Sequence, residues 1–172
     1  MSKSLLSVNN IEVVYNHVIL ALKGVTLDVG EGKVISLLGA NGAGKTTTLK
    51  ACSSLLHAER GEITKGSITY EGNSINDVDP YQLVKSGVVQ VLEGRHCFSH
   101  LTVEENIMTG SFIKDNPKQA KEDLERVYEH FPRIKIRIKI QAGYTSGGEQ
   151  KICLIYTTDA ADEAKWVGGG GG

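Results

Sequence analysis

Short apolar runs separated by glycine-rich or proline-containing turns dominate the first ninety residues, and helical periodicity dominates the next sixty. Leu5 to Val8 and Ile11 to Tyr15 predict two short strands, and residues 25–29 alternate apolar and polar before the turn Gly30-Glu31-Gly32. Together these predict an antiparallel β layer. Residues 33–38 form a nearly continuous apolar run of the kind expected of a buried parallel strand, and residues 45–56 come next as a helix. Residues 66–72 give another strand and turn, Asp79-Pro80 opens a short helix that Gly87 closes, and residues 88–92 read as a second buried strand. Farther on, Thr102-Val103-Glu104-Glu105 is a capping box. Ala120, Leu124, Val127, Tyr128 and Phe131 share one helical face between Pro117 and Pro132, as core packing requires. Residues 134–140 alternate isoleucine with lysine or arginine, which by itself predicts a strand with one charged face and suggests no function.

Composition narrows the classes. The 172 residues are 40% hydrophobic, enough for a packed core, and 19 basic against 20 acidic residues leave no basic field to attract nucleic acid. Cys52, Cys97 and Cys153 are odd in number and widely spaced, which argues against a disulfide framework or a zinc site and for a reducing compartment. No apolar segment approaches the length that crosses a bilayer, so direct membrane insertion is not expected.

The strongest chemistry is Gly39-Ala40-Asn41-Gly42-Ala43-Gly44-Lys45-Thr46, a full match to the phosphate-binding loop pattern G-x-x-x-x-G-K-[ST] between a predicted strand and a predicted helix. Glycines there allow positive φ and close backbone approach, so that N–H groups converge on phosphate at the positive end of the helix. Lys45 suits the β- and γ-phosphates, the Thr46 hydroxyl a magnesium ion, and Thr47 the α-phosphate. A nucleotide with Mg2+ is the expected ligand.

A second stretch, Thr145-Ser146-Gly147-Gly148-Glu149-Gln150, resembles the signature motif of ABC (ATP-binding cassette) ATPases, with Thr145 where leucine is usual. A serine followed by two glycines at a helix start offers a hydroxyl and bare N–H groups to phosphate oxygens. The order of phosphate loop, strand, helices and signature is that of an ABC nucleotide-binding domain. The resemblance, covering about Leu5 to Gln150, implies an α/β P-loop NTPase fold with an N-terminal antiparallel β layer and a helical subdomain over about residues 94–150. It also implies ATP and Mg2+ as cofactors. Tyr15 then looks like the family's adenine-stacking aromatic, with an edge-strand core tyrosine as the alternative. Glu93 stands at the Q-loop position, where it would bind magnesium and act catalytically, and Gln90 becomes an ordinary strand residue.

The run Glu93-Gly94-Arg95, with both motifs, is similar to the LivF-type ATPases of bacterial branched-chain amino acid importers. This implies a second ATPase subunit as homo- or heterodimer partner, with ATP held between the P-loop of one subunit and Ser146, Gly147 and Gly148 of the other. It implies two permease subunits at the cytoplasmic face of the inner membrane, met through the loop from Glu93 to Phe98, with Phe98 as an anchor, and the helices after Thr102, and a periplasmic binding protein. An importer of urea or amides, a non-catalytic nucleotide-binding fragment, and a P-loop kinase or GTPase are the alternatives.

The chain departs from the family pattern after Gln150. An apolar strand ending in Asp-Glu, a D-loop and a switch histidine are expected there, yet all five histidines precede Thr145 and Asp162-Glu163 has no apolar strand before it. The sequence therefore predicts a partial ABC domain over residues 1–151, C-terminally incomplete, that binds nucleotide weakly and does not turn it over. Residues 152–172 read as a non-native tail. Residues 153–163 resemble an in-frame translation of a transposon-end sequencing adapter, and the closing glycines a string of spurious base calls or a flexible linker.

Overall fold

The computed structural model describes residues 4–92, 97–110, 117–150 and 153. It divides between Gln90 and Val91 into two compact units.

The first unit is built on a sheet of order β2-β1-β3-β4, formed by β1 (Ser4–Tyr15), β2 (Ile19–Gly30), β3 (Gly61–Tyr70) and β4 (Asn73–Ser74), with antiparallel neighbours throughout. This is the expected antiparallel layer, but the two short strands predicted at its start are one. Leu6 and Val8 are buried on even positions, Ile11 and Val13 on odd ones. A bulge reconciles the two parities, because the register slips between Val8, opposite Leu27, and Ile11, opposite Val25. Asn10 sits at the slip with φ 49° and donates its N–H to Thr26 Oγ1 at 2.9 Å. The partner strand needs glycine there: a Cβ on Gly66, at φ 81°, would lie 2.4 Å from the carbonyl oxygens of Asn9 and Asn10.

Against this sheet pack α1 (Lys45–Cys52), through Ala51 and Cys52, and Leu56, Ile75 and Leu83 beyond it, the last on α2 (Pro80–Lys85). As the sequence predicts, Asp79 caps α2 by accepting from the Tyr81 N–H at 2.9 Å, and Pro80 occupies its first turn. Burial pushes the Cys52 thiol up to about 12.

Residues 33–38 and 88–92 do not form the parallel strands expected of them. Val34 and Leu38 are 79% and 91% exposed. An apolar run becomes a parallel strand only with hydrogen-bonded neighbours and cover on both faces, and among the described residues β1 to β4 make up the whole sheet. Gln90 accordingly is not a ladder residue; its Oε1 accepts from the Ser53 hydroxyl.

The second unit is helical, with α3 (Val103–Thr109), α4 (Pro117–His130) and α5 (Pro132–Arg137). The predicted capping box at Thr102 and Glu105 starts α3. The predicted apolar face of α4 is also present: Val127 and Tyr128 join Val103, Ile107, Ile134 and Cys153 in a core, flanked by Leu124, Phe131 and Ile138, with Ala120 buried as well. Cys153, within the stretch set apart as a tail, is helical and buried, its thiol pushed up to about 11 chiefly by that burial; the rest of residues 152–172 lie outside the described residues. Buried Asn106 ties the preceding loop to α3, accepting from the Phe98 N–H at 2.8 Å and donating to the carbonyls of Phe98, Leu101 and Thr102 at 3.0, 3.3 and 2.9 Å.

The strand expected at residues 134–140 is the helix α5 and the turn after it. Pro132 at its first turn favours that start, and Ile134 and Ile138, four residues apart, both reach the core while Ile136 is 84% exposed. Only one turn-to-turn pair of the isoleucines is needed inside. No helix among the described residues is long and apolar enough to cross a membrane.

Candidate functional site

The phosphate loop joins the exposed residues 33–38 to α1. Gly42 and Gly44 hold φ of 82° and 85°, and Ala43 donates its N–H to the Ala40 carbonyl at 3.1 Å, closing the turn. Gly44 is the N-cap of α1 and leaves its first turn without a side-chain cap or an acidic residue. Here the left-handed φ and the packing both demand glycine, since a Cβ would lie 2.3 Å from Leu22 Cδ2. Thr48, buried in the same turn, donates its hydroxyl to the Gly44 carbonyl at 2.9 Å and fixes the helix start.

Lys45 folds back over the loop, its ammonium donating to the carbonyls of Gly39 and Ala40 at 2.7 and 3.0 Å. That holds a cation against the loop's own carbonyls, while Asn41 and Thr46 are exposed and Thr47 half-buried. Uncapped N–H groups at a helix start, two left-handed glycines, an ammonium and two hydroxyls form a donor set with no carboxylate in the first turn of α1. Chemically, it matches a polyphosphate carrying a hard cation.

The other motif lies in the helical unit. After a 3-10 turn, Ala142–Tyr144, residues 147–150 are helical and Ser146 caps them. Ser146 Oγ accepts from the Glu149 N–H at 3.3 Å, and Glu149 Oε2 accepts from the Ser146 N–H at 2.8 Å, a closed capping box. The bond from the Ser146 N–H first, with the Ser146 hydroxyl and then the charge of Arg137, holds the Glu149 carboxyl below its ordinary value. Gly147 and Gly148 are exposed, with nothing within 4 Å of a Cβ on Gly147. Thr145, in the usual leucine position, is buried and donates its hydroxyl to the Ala142 carbonyl at 2.7 Å. Gln150 donates to the carbonyls of Ala142 and Thr145 at 2.9 and 3.3 Å, pinning the helix start from below.

Tyr15 ends β1, half-buried against the sheet core, with its ring over Gly61, where a Cβ would lie 2.7 Å from Cε1. Glu93 lies outside the described residues. Phe98 is 51% exposed and meets His100 edge to face. Two residues bearing on the signature were not singled out from sequence. Gln150 closes the motif itself, whereas Arg137 carries no local signal, because its link to Glu149 spans a turn, a 3-10 helix and a cap.

Residues 22–161 match the ABC transporter family. The chain belongs to that family. Among relatives of this ABC domain is the high-affinity branched-chain amino acid transport ATP-binding protein BraG of Pseudomonas aeruginosa, 38% identical over 152 residues, which are 88% of this chain and 62% of BraG. The probable branched-chain amino acid transport ATP-binding protein LivF of Archaeoglobus fulgidus is 27% identical over 133 residues, 77% of this chain and 54% of its own length. The chain thus spans less than two thirds of either relative. A nucleotide-free ATP-binding cassette from an ABC transporter superposes with TM-score 0.74 at 25% identity, over 91% of this chain and 64% of that one. The ADP conformation of MJ1267, an ATP-binding cassette of an ABC transporter, superposes with TM-score 0.72 at 25% identity, over 91% and 65%. This ABC domain therefore has the α/β P-loop fold of those cassettes, including the antiparallel layer and helical subdomain.

Proposed function

We propose that this ABC domain binds Mg-ATP as part of the ATP-binding subunit of a bacterial importer for branched-chain amino acids. The observation that carries the reading is the start of α1: uncapped, entered through two left-handed glycines, and overlain by the Lys45 ammonium. Gly39, Asn41, Gly42, Ala43 and Gly44 supply the backbone cradle. On binding, Lys45 would exchange two neutral carbonyl acceptors for anionic phosphate oxygens, which are stronger partners. Thr46 would hold magnesium, whose charge offsets that of the phosphates, and Thr47 would meet the α-phosphate. Tyr15 would offer a ring face to adenine.

Solute class rests on the names of BraG and LivF. The same reading brings in a second ATPase subunit, permease subunits as the seat on the cytoplasmic face of the inner membrane, and Ser146, Gly147 and Gly148 as the surface presented to nucleotide held by the other ATPase subunit. Titration of Mg-ATP and Mg-GTP into the purified chain tests the nucleotide class. ATP is expected to bind several-fold more tightly than GTP, with Tyr15→Ala narrowing the gap and Tyr15→Trp preserving it. Equal or tighter binding of GTP contradicts the reading.

A further inference from the structure

The alternating segment at residues 134–140 suggests no function by its sequence, yet its cations reach three different elements. Lys135 Nζ lies 3.8 Å from Glu125 Oε2 on α4, and Lys139 Nζ 2.6 Å from Glu104 Oε2 on α3. Between them Arg137 Nε lies 3.4 Å from Glu149 Oε1, in the signature itself. Ile134 and Ile138, packed in the core, fix the segment from which these side chains spread. Glu149 is therefore held on both oxygens: Oε1 faces Arg137, and Oε2 accepts the Ser146 N–H.

We propose that Arg137 is a positioning residue for the signature loop, holding the Glu149 carboxylate in the rotamer that orients Ser146 and the bare glycines after it. The inference rests on the reading that this loop meets nucleotide held by a second ATPase subunit, taken as a second copy of this chain. A carboxylate with one oxygen released can turn to solvent, and Ser146 then loses the acceptor for its N–H. Arg137 is 49% and Glu149 20% exposed at the side chain, so the pair adds little to folding stability and its effect falls on orientation. The approach is a charge contact at Nε, part of which a lysine ammonium at the same place would keep.

The test uses the whole 172-residue chain. Because the Ser146 N–H donates to Glu149, its amide proton shift follows the titration of that carboxyl; Arg137 and Arg133 of α5 are the charged groups that lower it, and Glu149 in turn raises the Cys153 thiol. In the parent the midpoint lies below the ordinary 4.5. Arg137→Ala is expected to raise it and to speed Ser146 amide exchange several-fold, with Arg137→Lys between. Sedimentation velocity with Mg-ATP gives the functional arm: nucleotide-dependent dimerisation should weaken several-fold in Arg137→Ala and recover in part in Arg137→Lys. Unchanged amide behaviour, or undiminished dimerisation in Arg137→Ala, overturns the proposal. A parent chain that binds Mg-ATP without dimerising refutes the bridging role of the signature instead, and the amide titration still decides whether Arg137 positions Ser146.

Discussion

Two helix starts in this protein follow glycines or precede them, and they are finished in opposite ways. The start of α1 has Gly44 as its cap, no side chain closing it, and a lysine lying across the loop. The start at residue 147 is closed by Ser146 and Glu149, with Arg137 behind the carboxylate and Gln150 beneath. A third start, Thr102 with Glu105 on α3, has the same closed box without glycines after it. Unpaired N–H groups at a helix end are normally satisfied by the chain itself. The first start has no side chain closing it; the second satisfies its own cap and keeps only its two glycines bare.

The largest expected effect separates the glycines of the two starts. Gly44→Ala combines a left-handed φ with a Cβ driven into buried Leu22, and should cost on the order of 2–4 kcal/mol, read as a fall in the urea midpoint. Gly147→Ala meets open space in a helical turn and should leave the midpoint within about 1 kcal/mol of the parent, toward higher stability. Equal losses at both positions would erase the distinction.

Smaller effects separate the two capping boxes. Ser146→Ala and Thr102→Ala each remove a cap and should each cost about 1 kcal/mol of stability, but only Ser146→Ala should weaken nucleotide-dependent dimerisation. The smallest effect is acid sensitivity. Glu149 and Glu105 both titrate below the ordinary 4.5, held first by the N–H of Ser146 and of Thr102 respectively. Their contribution is therefore complete above that value and lost as the pH falls through the depressed one. A urea midpoint flat from neutral pH to about 4.5 and falling below it is expected, and a fall beginning near neutrality would assign acid sensitivity to other groups.

Both glycine-bearing helix starts were legible in the sequence because each is contiguous: glycine positions, the lysine and the capping serine all act within a few residues of one another. Strands were less so. The break between Leu5–Val8 and Ile11–Tyr15 is a bulge, visible only once Val8 and Ile11 are set opposite Leu27 and Val25. Residues 33–38 carry the right pattern for a buried strand, but pairing depends on neighbours that no local pattern reports. At residues 134–140 the period of two suggested a strand, while Pro132 and the pairing of Ile134 with Ile138 in the core favoured a helix. The Arg137 to Glu149 link joins segments whose proximity comes from the helical packing, so sequence spacing gave no sign of it.

Calorimetric titration of Mg-ATP into the parent chain and into Lys45→Ala tests most directly whether the open start of α1 is a nucleotide site. Loss of the ammonium is expected to weaken binding by about 1.5–3 kcal/mol, roughly 10- to 150-fold, the range for a hydrogen bond to a charged group. Equal affinities in the two proteins, with both folded, would contradict the account.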